Sequence, residues 1–318
     1  MMPPAALGPP PRATILGIVG NSAAGKTTFS RGIADIIGRE RCALICADDY
    51  HRYTRAERIA RNLSPADPQN NHLDVLEQHL WLLRSGKPVL KPVYDHGSGE
   101  LTRPEYVEPK PYIIVEGLMC FATRGLRDCF DVKLLLEPEE RLRERWKLER
   151  DTLARGYALP EAELILKRSK KDQRLFIQPQ RSFADIVVAF RSANAEAPEE
   201  DAVLSARHIL RPTLPHPDLT PILDPNLRNG LSLELSRDRD GKPVDLLEIA
   251  GDISPRDARR LEDLIWLLLP ETSDVRANFG EISAGRRAAV VSHPLALSEL
   301  LVAYHFEMAA EELRAAEG

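Results

Sequence analysis

The chain has 318 residues, 29% of them charged, and a formal net charge of −5. That length buries a large core in one large or two modest domains, and the charge content is that of a soluble globular protein. The mildly acidic balance argues against a nucleic-acid scaffold, and no uninterrupted apolar run is long enough to span a bilayer.

Met1 to Pro11 is proline-rich and has no cationic region ahead of an apolar segment. Residues 1–12 therefore read as a disordered leader with no signal peptide, and a cytoplasmic location is expected. Next, Ile15 to Val19 reads as a buried strand. Gly20-Asn21-Ser22-Ala23-Ala24-Gly25-Lys26-Thr27 follows, with Thr28 after it, in the spacing G-x-x-x-x-G-K-[ST]. Between a strand and a helix this is a P-loop: glycines let backbone N–H groups curl around phosphate oxygens, and the helix aims its positive end at the same point. Lys26 is expected to reach the β- and γ-phosphates of ATP, and the Thr27 hydroxyl to hold Mg²⁺. The helix from Lys26 to Ile37 should stop at Gly38.

Cys42 to Ala47 is a second short apolar run, ending in Asp48-Asp49-Tyr50-His51, which places acids at the carboxyl end of a strand. Transfer to a hydroxyl needs a carboxylate to accept the proton. On extended backbone Asp48 and Asp49 point to opposite sides, so only one faces the nucleotide, and spacing alone does not choose between them. Leu73, Leu76, Leu80 and Leu83 recur at helical spacing and Gly86 closes that helix. Pro88 to Tyr94 reads as extended, and Gly97-Ser98-Gly99 is a turn opening a small hairpin. Tyr112 to Val115 is another buried strand, and Glu116 at its end is the second candidate for Mg²⁺. His51, Arg52 and Arg55, with Tyr94 and His96, suit a phosphorylated, anionic substrate, although each taken alone is an ordinary loop residue.

Val132 to Leu136 is the next strand. Two charged helices, Pro138 to about Arg155 and Pro160 to about Lys171, read as too polar to be core. On the first, Lys147, Arg150 and a point near Arg155 share a face with Asp151 nearby, so its cations could close over a triphosphate as a lid; a solvated, salt-bridged helix is the alternative. After Ile186 to Val188 the composition breaks near residue 191, with prolines at Ala197 to Pro198 and from Pro212 to Pro225. Strand-like runs at Leu231 to Leu235 and Leu246 to Ile249, then amphipathic helices at Arg256 to Leu268 and Leu295 to Leu313, form an α+β extension. The expected fold is α/β: a P-loop kinase domain over 13–190, with a mainly parallel sheet flanked by helices and lid helices at about 138–180. The extension over 191–318 is expected on the same sheet. Cys42, Cys46, Cys120 and Cys129 lack C-x-x-C spacing and are expected to be reduced and mostly buried, with no zinc pattern.

Together these stretches resemble the phosphoribulokinase/uridine kinase family, phosphoribulokinases in particular. The resemblance rests on Asp48-Asp49-Tyr50-His51 with Arg55, Asp67-Pro68-Gln69-Asn70-Asn71, Lys91 to His96, Ile113 to Leu118, Lys147 to Asp151 through Arg155-Gly156, Ile177 to Gln180 and Ala184 to Val187. It implies ATP-dependent phosphorylation of D-ribulose 5-phosphate at its C1 hydroxyl, with Asp48 as catalytic base. It also implies that His51, Arg55, Tyr94 and His96 contact the sugar phosphate, and that Thr27 and Glu116 serve Mg²⁺. Lys26, Arg150 and Arg155 would stabilise the transferring group, with Lys147 and Asp151 as supporting lid residues. Light-regulated plant-type members pair a cysteine in the P-loop with one before the Asp-Asp-Tyr-His motif; Ala24 and Cys46 stand there, so thioredoxin control of this kind is not expected. A homodimer or higher homo-oligomer is expected, with no nucleic-acid or membrane partner. The alternatives are a kinase for uridine or another small hydroxyl substrate, and a non-catalytic nucleotide-binding regulator.

Overall fold

The computed structural model describes residues 12–193, 203–214, 216–223, 230–269, 279–282 and 290–317. The expected leader, apart from Arg12, and the proline joint at Ala197 to Pro198 lie outside them.

Strand β1 (Thr14–Gly20) leads through the P-loop into α1 (Lys26–Ile37), which ends at Gly38. β2 (Cys42–Cys46), α2 (Arg55–Ala60) and α3 (Leu73–Arg84) follow. Four short strands come next: β3 (Val89–Lys91), β4 (Tyr94–Asp95), β5 (Glu100–Leu101) and β6 (Glu105–Val107). β4 and β5 form the small hairpin, with Gly97-Ser98-Gly99 inside its turn, and β3 pairs with β6. Then come β7 (Tyr112–Gly117), α4 (Arg124–Asp128), β8 (Val132–Leu136), α5 (Glu140–Glu149), α6 (Leu159–Asp172) and β9 (Ile186–Ser192). Beyond the compositional break lie β10 (Leu204–Leu210), β11 (Leu231–Arg237), β12 (Pro243–Ile249), α7 (Pro255–Leu268), β13 (Glu281–Ile282), β14 (Val290–Val291) and α8 (His293–Glu317).

The main sheet has eight strands in the order β11-β12-β10-β9-β8-β1-β7-β2. β2, β7, β1, β8 and β9 run parallel, and β10, β12 and β11 continue the same sheet antiparallel. β1 is buried at every residue, because helices cover both faces of a parallel sheet and leave no wet side. Its alternation divides the core: Leu16 and Ile18 face Phe29, Ile33 and Ile36 of α1 and Leu297, Leu301 and Phe306 of α8, whereas Ile15 and Val19 face Leu76, Leu80 and Leu83 of α3. From β1 the chain crosses over β7 to reach β2, and from β7 it crosses back over β1 to reach β8. The reversal leaves a crevice at the carboxyl ends of β1 and β7, the place where open α/β sheets hold ligands.

Two expectations need correction. The acids after β2 lie on a single 3₁₀ turn, Ala47–Tyr50, not on extended chain. The charged helices are also not wholly outside the core, since Leu142, Arg143 and Lys147 of α5 and Ala162 and Leu166 of α6 are buried. β10 is an element the sequence reading passed over. The four cysteines are free thiols, three buried and Cys46 half-buried. Among the described residues no helix is long and apolar enough to cross a membrane.

Candidate active site

The P-loop curls because Gly25 takes φ +87°, a left-handed conformation that costs a glycine nothing, and a Cβ there would project into open space. Ala23 also has positive φ, at 64°. No side chain caps the start of α1 and no acid lies in its first turn, so the positive end of the helix stays open to an anion. Lys26 is buried, and its Nζ donates to the carbonyls of Gly20 at 3.1 Å and Asn21 at 3.3 Å, which hold the ammonium inside the loop.

Glu116 stands at the end of β7, beside the P-loop strand in register, and its Oε1 accepts the Thr27 hydroxyl at 2.7 Å. Burial pushes its carboxyl above the usual range, Lys26 pulls it back and the Asp48 charge pushes it up again. The two acids after β2 have separate partners. Asp49 is buried, ion-paired with Lys91, and accepts the Tyr94 N–H at 3.2 Å, which fixes it as a strut beneath the β3–β4 segment. Asp48 is half-buried and its Oδ1 accepts the Leu118 N–H at 2.8 Å.

His51, Tyr94 and His96 form an edge-to-face cluster, with ring centroids 4.7 Å apart for His51 and Tyr94 and 5.1 Å for Tyr94 and His96. The Nδ2 of Asn71 donates to the carbonyls of Pro65 and Asp67, so its Oδ1 is the acceptor facing His51 Nδ1 at 2.8 Å. The Asn70 amide nitrogen lies 3.2 Å from the same Nδ1, so two asparagine side chains hold the ring through one nitrogen. Burial holds both His51 and His96 below the ordinary histidine range. Arg55 donates to the His96 carbonyl at 2.6 Å and borders the cluster.

Beyond α5 the chain makes one π-turn, Arg150–Ala154, a wide turn that re-aims the side chains following it. Asp151, 1% exposed, binds Lys147 at 2.7 Å, Arg150 at 2.8 Å and Arg155 at 3.4 Å. Although burial pushes Asp151 upward, the Arg150 charge and the Lys147 hydrogen bond bring it below the usual carboxylate range. Burial, and then the neighbouring Arg150, hold Arg155 below the ordinary arginine range. One carboxylate among three cations leaves a positive excess, as an anion site requires. Arg150 reaches Ser22 Oγ in the P-loop at 3.0 Å, so lid and loop already touch. The expected role of Lys147 as one of the closing cations needs correction: its side chain is 3% exposed and turned inward onto Asp151.

The P-loop residues Gly20 to Thr28, Asp48, Glu116, Arg150 and Arg155 thus gather around the crevice, with His51, Arg55, Tyr94 and His96 forming one wall. Arg143 was not singled out from the sequence. It is 2% exposed, donates to Ser22 O at 3.1 Å and pairs with Glu140. Its position four residues before Lys147 was the available signal. Asn71, quoted only within a motif, holds the His51 ring together with Asn70. Gln180 was likewise quoted without a role; it donates to Leu118 O and accepts the Phe121 N–H, and so steadies the strand end that holds Asp48.

A family model described as Phosphoribulokinase / Uridine kinase family matches residues 15–196. The chain is 32% identical over 196 residues to a phosphoribulokinase of Synechocystis sp., covering 62% of this chain and 59% of that protein. It is 29% identical over 191 residues to the chloroplastic phosphoribulokinase of Mesembryanthemum crystallinum, covering 55% and 48%. To a uridine kinase of Staphylococcus epidermidis it is 33% identical over 194 residues, covering 58% and 92%. The alignments thus span about half to three-fifths of those phosphoribulokinases. The solved phosphoribulokinase from Rhodobacter spheroides shares the fold, with a TM-score of 0.54 and 19% identity over 81% of this chain and 96% of that one. On its sequence match and its P-loop architecture, the chain belongs to the phosphoribulokinase/uridine kinase family.

Proposed function

We propose that the protein transfers the terminal phosphoryl group of ATP to the C1 hydroxyl of D-ribulose 5-phosphate, giving D-ribulose 1,5-bisphosphate and ADP. The observation that carries this reading is the division of labour between the paired acids. Asp49 is tied down by Lys91 and Tyr94, whereas Asp48 stands at the strand end beside the P-loop, next to a pocket of His51, His96 and Arg55. The relatives named phosphoribulokinase support the same acceptor.

In this mechanism the P-loop amides and Lys26 bind the phosphate chain. Asp48 takes the proton from the C1 hydroxyl as the new O–P bond forms and the bond to the ADP oxygen breaks; the proton then passes to solvent. His51, its ring held by Asn70 and Asn71, hydrogen-bonds a sugar hydroxyl and orients it. Arg55 pairs with the sugar's phosphate, and Arg150, anchored to Ser22, spreads with Arg155 over the charge that develops on the transferring group. The residues fit a divalent cation: the Thr27 hydroxyl and the half-buried Glu116 carboxyl are in contact at 2.7 Å beside the P-loop. Thr27 and Glu116 would hold Mg²⁺, which supplies charge neutralisation between the phosphates. Leu233 and Leu235, exposed on edge strand β11, support the expected homo-oligomer.

Uridine is the second reading, because a uridine kinase aligns over 92% of its own length. A nucleoside has no phosphate to engage Arg55. The test is product identification by mass after incubation with ATP and Mg²⁺, with ribulose 5-phosphate, uridine and glycerate offered separately. Ribulose bisphosphate as the sole product is expected; phosphorylated uridine in its place would replace the reading.

A further inference from the structure

The Cys46 thiol has no part in the transfer chemistry, yet it stands among other donors. Cys46 ends β2, and Asp49 lies three residues on, in the 3₁₀ turn Ala47–Tyr50. At 3.0 residues per turn, side chains three apart eclipse, so this turn sets the Cys46 sulfur and the Asp49 carboxylate on the same side. His96 joins them from the turn of the β4–β5 hairpin, which is tied down by Arg55 on the His96 carbonyl and by Asp49 on the Tyr94 N–H. One ligand atom from each of the three, thiol, carboxylate and imidazole, lies within 4.8 Å of the other two. Asp49 is buried, and Cys46 and His96 are half-buried.

A tetrahedral zinc centre holds its ligand atoms about 3.4–3.6 Å apart at ordinary Zn–S, Zn–N and Zn–O lengths, so side-chain movement of roughly 1 Å would close these three around an ion. The charges of Asp48 and Glu116 also act on the Cys46 sulfur, and that field draws in a dication; Lys91, paired with Asp49, is the cation that opposes it. A thiol and an imidazole are poor ligands for Mg²⁺, which takes oxygen, and good ones for Zn²⁺. We propose that Cys46, Asp49 and His96 form an inhibitory site for a thiophilic divalent cation, Zn²⁺, separate from the Thr27–Glu116 pair. Cys46 binds as the thiolate, its proton passing to solvent, and a water takes the fourth position. Occupancy draws His96 out of the acceptor wall and ties the turn that carries Asp48 to the β4–β5 hairpin. The acceptor is then shut out while the P-loop stays open to nucleotide. That consequence rests on the reading of His96 as an acceptor contact; the binding of the metal does not.

Co²⁺ serves as the optical probe for Zn²⁺, because a thiolate bound to it adds a charge-transfer band in the near ultraviolet. The full chain, kept reduced by a phosphine, is titrated with Co²⁺ and then with Zn²⁺ in excess Mg²⁺. One equivalent of Co²⁺ should raise the band, and Zn²⁺ should erase it. Cys46→Ala should abolish the band. His96→Gln should keep it but weaken Zn²⁺ binding by more than the roughly 10–100-fold that loss of a ligand's supporting hydrogen bond costs. A band missing in the parent protein, or surviving in Cys46→Ala, would overturn the site. In turnover assays Zn²⁺ should inhibit the parent in competition with ribulose 5-phosphate and not with ATP, and Cys46→Ala should keep its turnover and lose the inhibition. Equal inhibition of both proteins would mean that Zn²⁺ displaces Mg²⁺ at Thr27 and Glu116, and would overturn the inhibitory role. If the parent does not turn over ribulose 5-phosphate at all, the acceptor reading fails by itself, and the Co²⁺ band still decides the metal site.

Discussion

Replacing Glu299 with glutamine should make the protein more stable, increasingly so as pH rises. The carboxyl is 1% exposed, in α8, pressed against Gly32 of α1, where only the absence of a side chain leaves it room. Its Oε2 accepts the Gly280 N–H at 2.7 Å, and the other facing group with charge is Asp35, of like sign. Burial pushes its pKa from 4.5 up to about 8; the Gly280 hydrogen bond opposes this and Asp35 adds to it. The unfolded chain therefore ionises near pH 4.5 and the folded one near 8, and in between folding must take up a proton. The stabilising contribution is whole below pH 4.5 and is lost as pH rises through 8. At about 1.4 kcal/mol per pH unit the loss reaches about 3 kcal/mol at pH 7. Glutamine keeps the oxygen that accepts from Gly280 and takes up no proton, but its buried amide N–H group offsets about 1–2 kcal/mol. A net gain of about 1–2 kcal/mol at pH 7 follows, read as a higher urea midpoint, with the gap widening from pH 5 to pH 8. Parallel stability curves for the two proteins would show that the carboxyl is ionised in the fold, and would refute the argument.

Asp48→Asn keeps an acceptor for the Leu118 N–H, so it should fold and bind ATP while turnover falls by a factor on the order of 10²–10⁴, measured by coupled ADP release; near-normal turnover removes Asp48 from the chemistry. Arg150→Ala loses the contact to Ser22 and should lower kcat more than it weakens ATP affinity, because its charge is needed most where negative charge develops; equal losses would make it a ground-state binder. In acid the extension should loosen. Burial lowers His305 to about 4 and His208 to about 3, so both fold neutral, and the stability they contribute is whole above pH 6.5 and lost as pH falls toward 4. The groups facing them are Ser298 and the His305 ring for His208, and His216 and the Leu301 carbonyl for His305. His305→Gln should flatten the acid limb of the unfolding free energy, read from urea curves, by about 3 kcal/mol, and an unchanged limb would place the charge elsewhere.

The parallel half of the sheet was readable because its strands are continuous apolar runs with loud boundaries: Gly20 after β1, Glu116 at the end of β7, Gly38 after α1. β10 was missed although Leu204, Ala206, His208 and Leu210 alternate inward. A histidine at a core position broke the pattern, and only its bond to Ser298, 90 residues on, explains why it is tolerated. The acids at 48 and 49 illustrate a different limit. Spacing could not choose between them, because the choice depends on Lys91 and Leu118, neither adjacent in sequence. The lid helix was read by its charge, yet burial of Arg143, Lys147 and Asp151 depends on partners in the P-loop and across one turn that composition does not reveal.

The seating of α8 over α1 has a consequence for synthesis. Phe29, Ile33 and Ile36 find their cover in Leu297, Leu301 and Phe306, and the Tyr112 hydroxyl bonds Glu307 across 195 positions. A nascent chain that has already made its phosphate-binding loop must carry that greasy flank uncovered until α8 emerges. Such long-range closure is slow, and it exposes the half-made polypeptide to self-association. Genes cut near residue 196 should therefore yield inclusion bodies, not a minimal kinase.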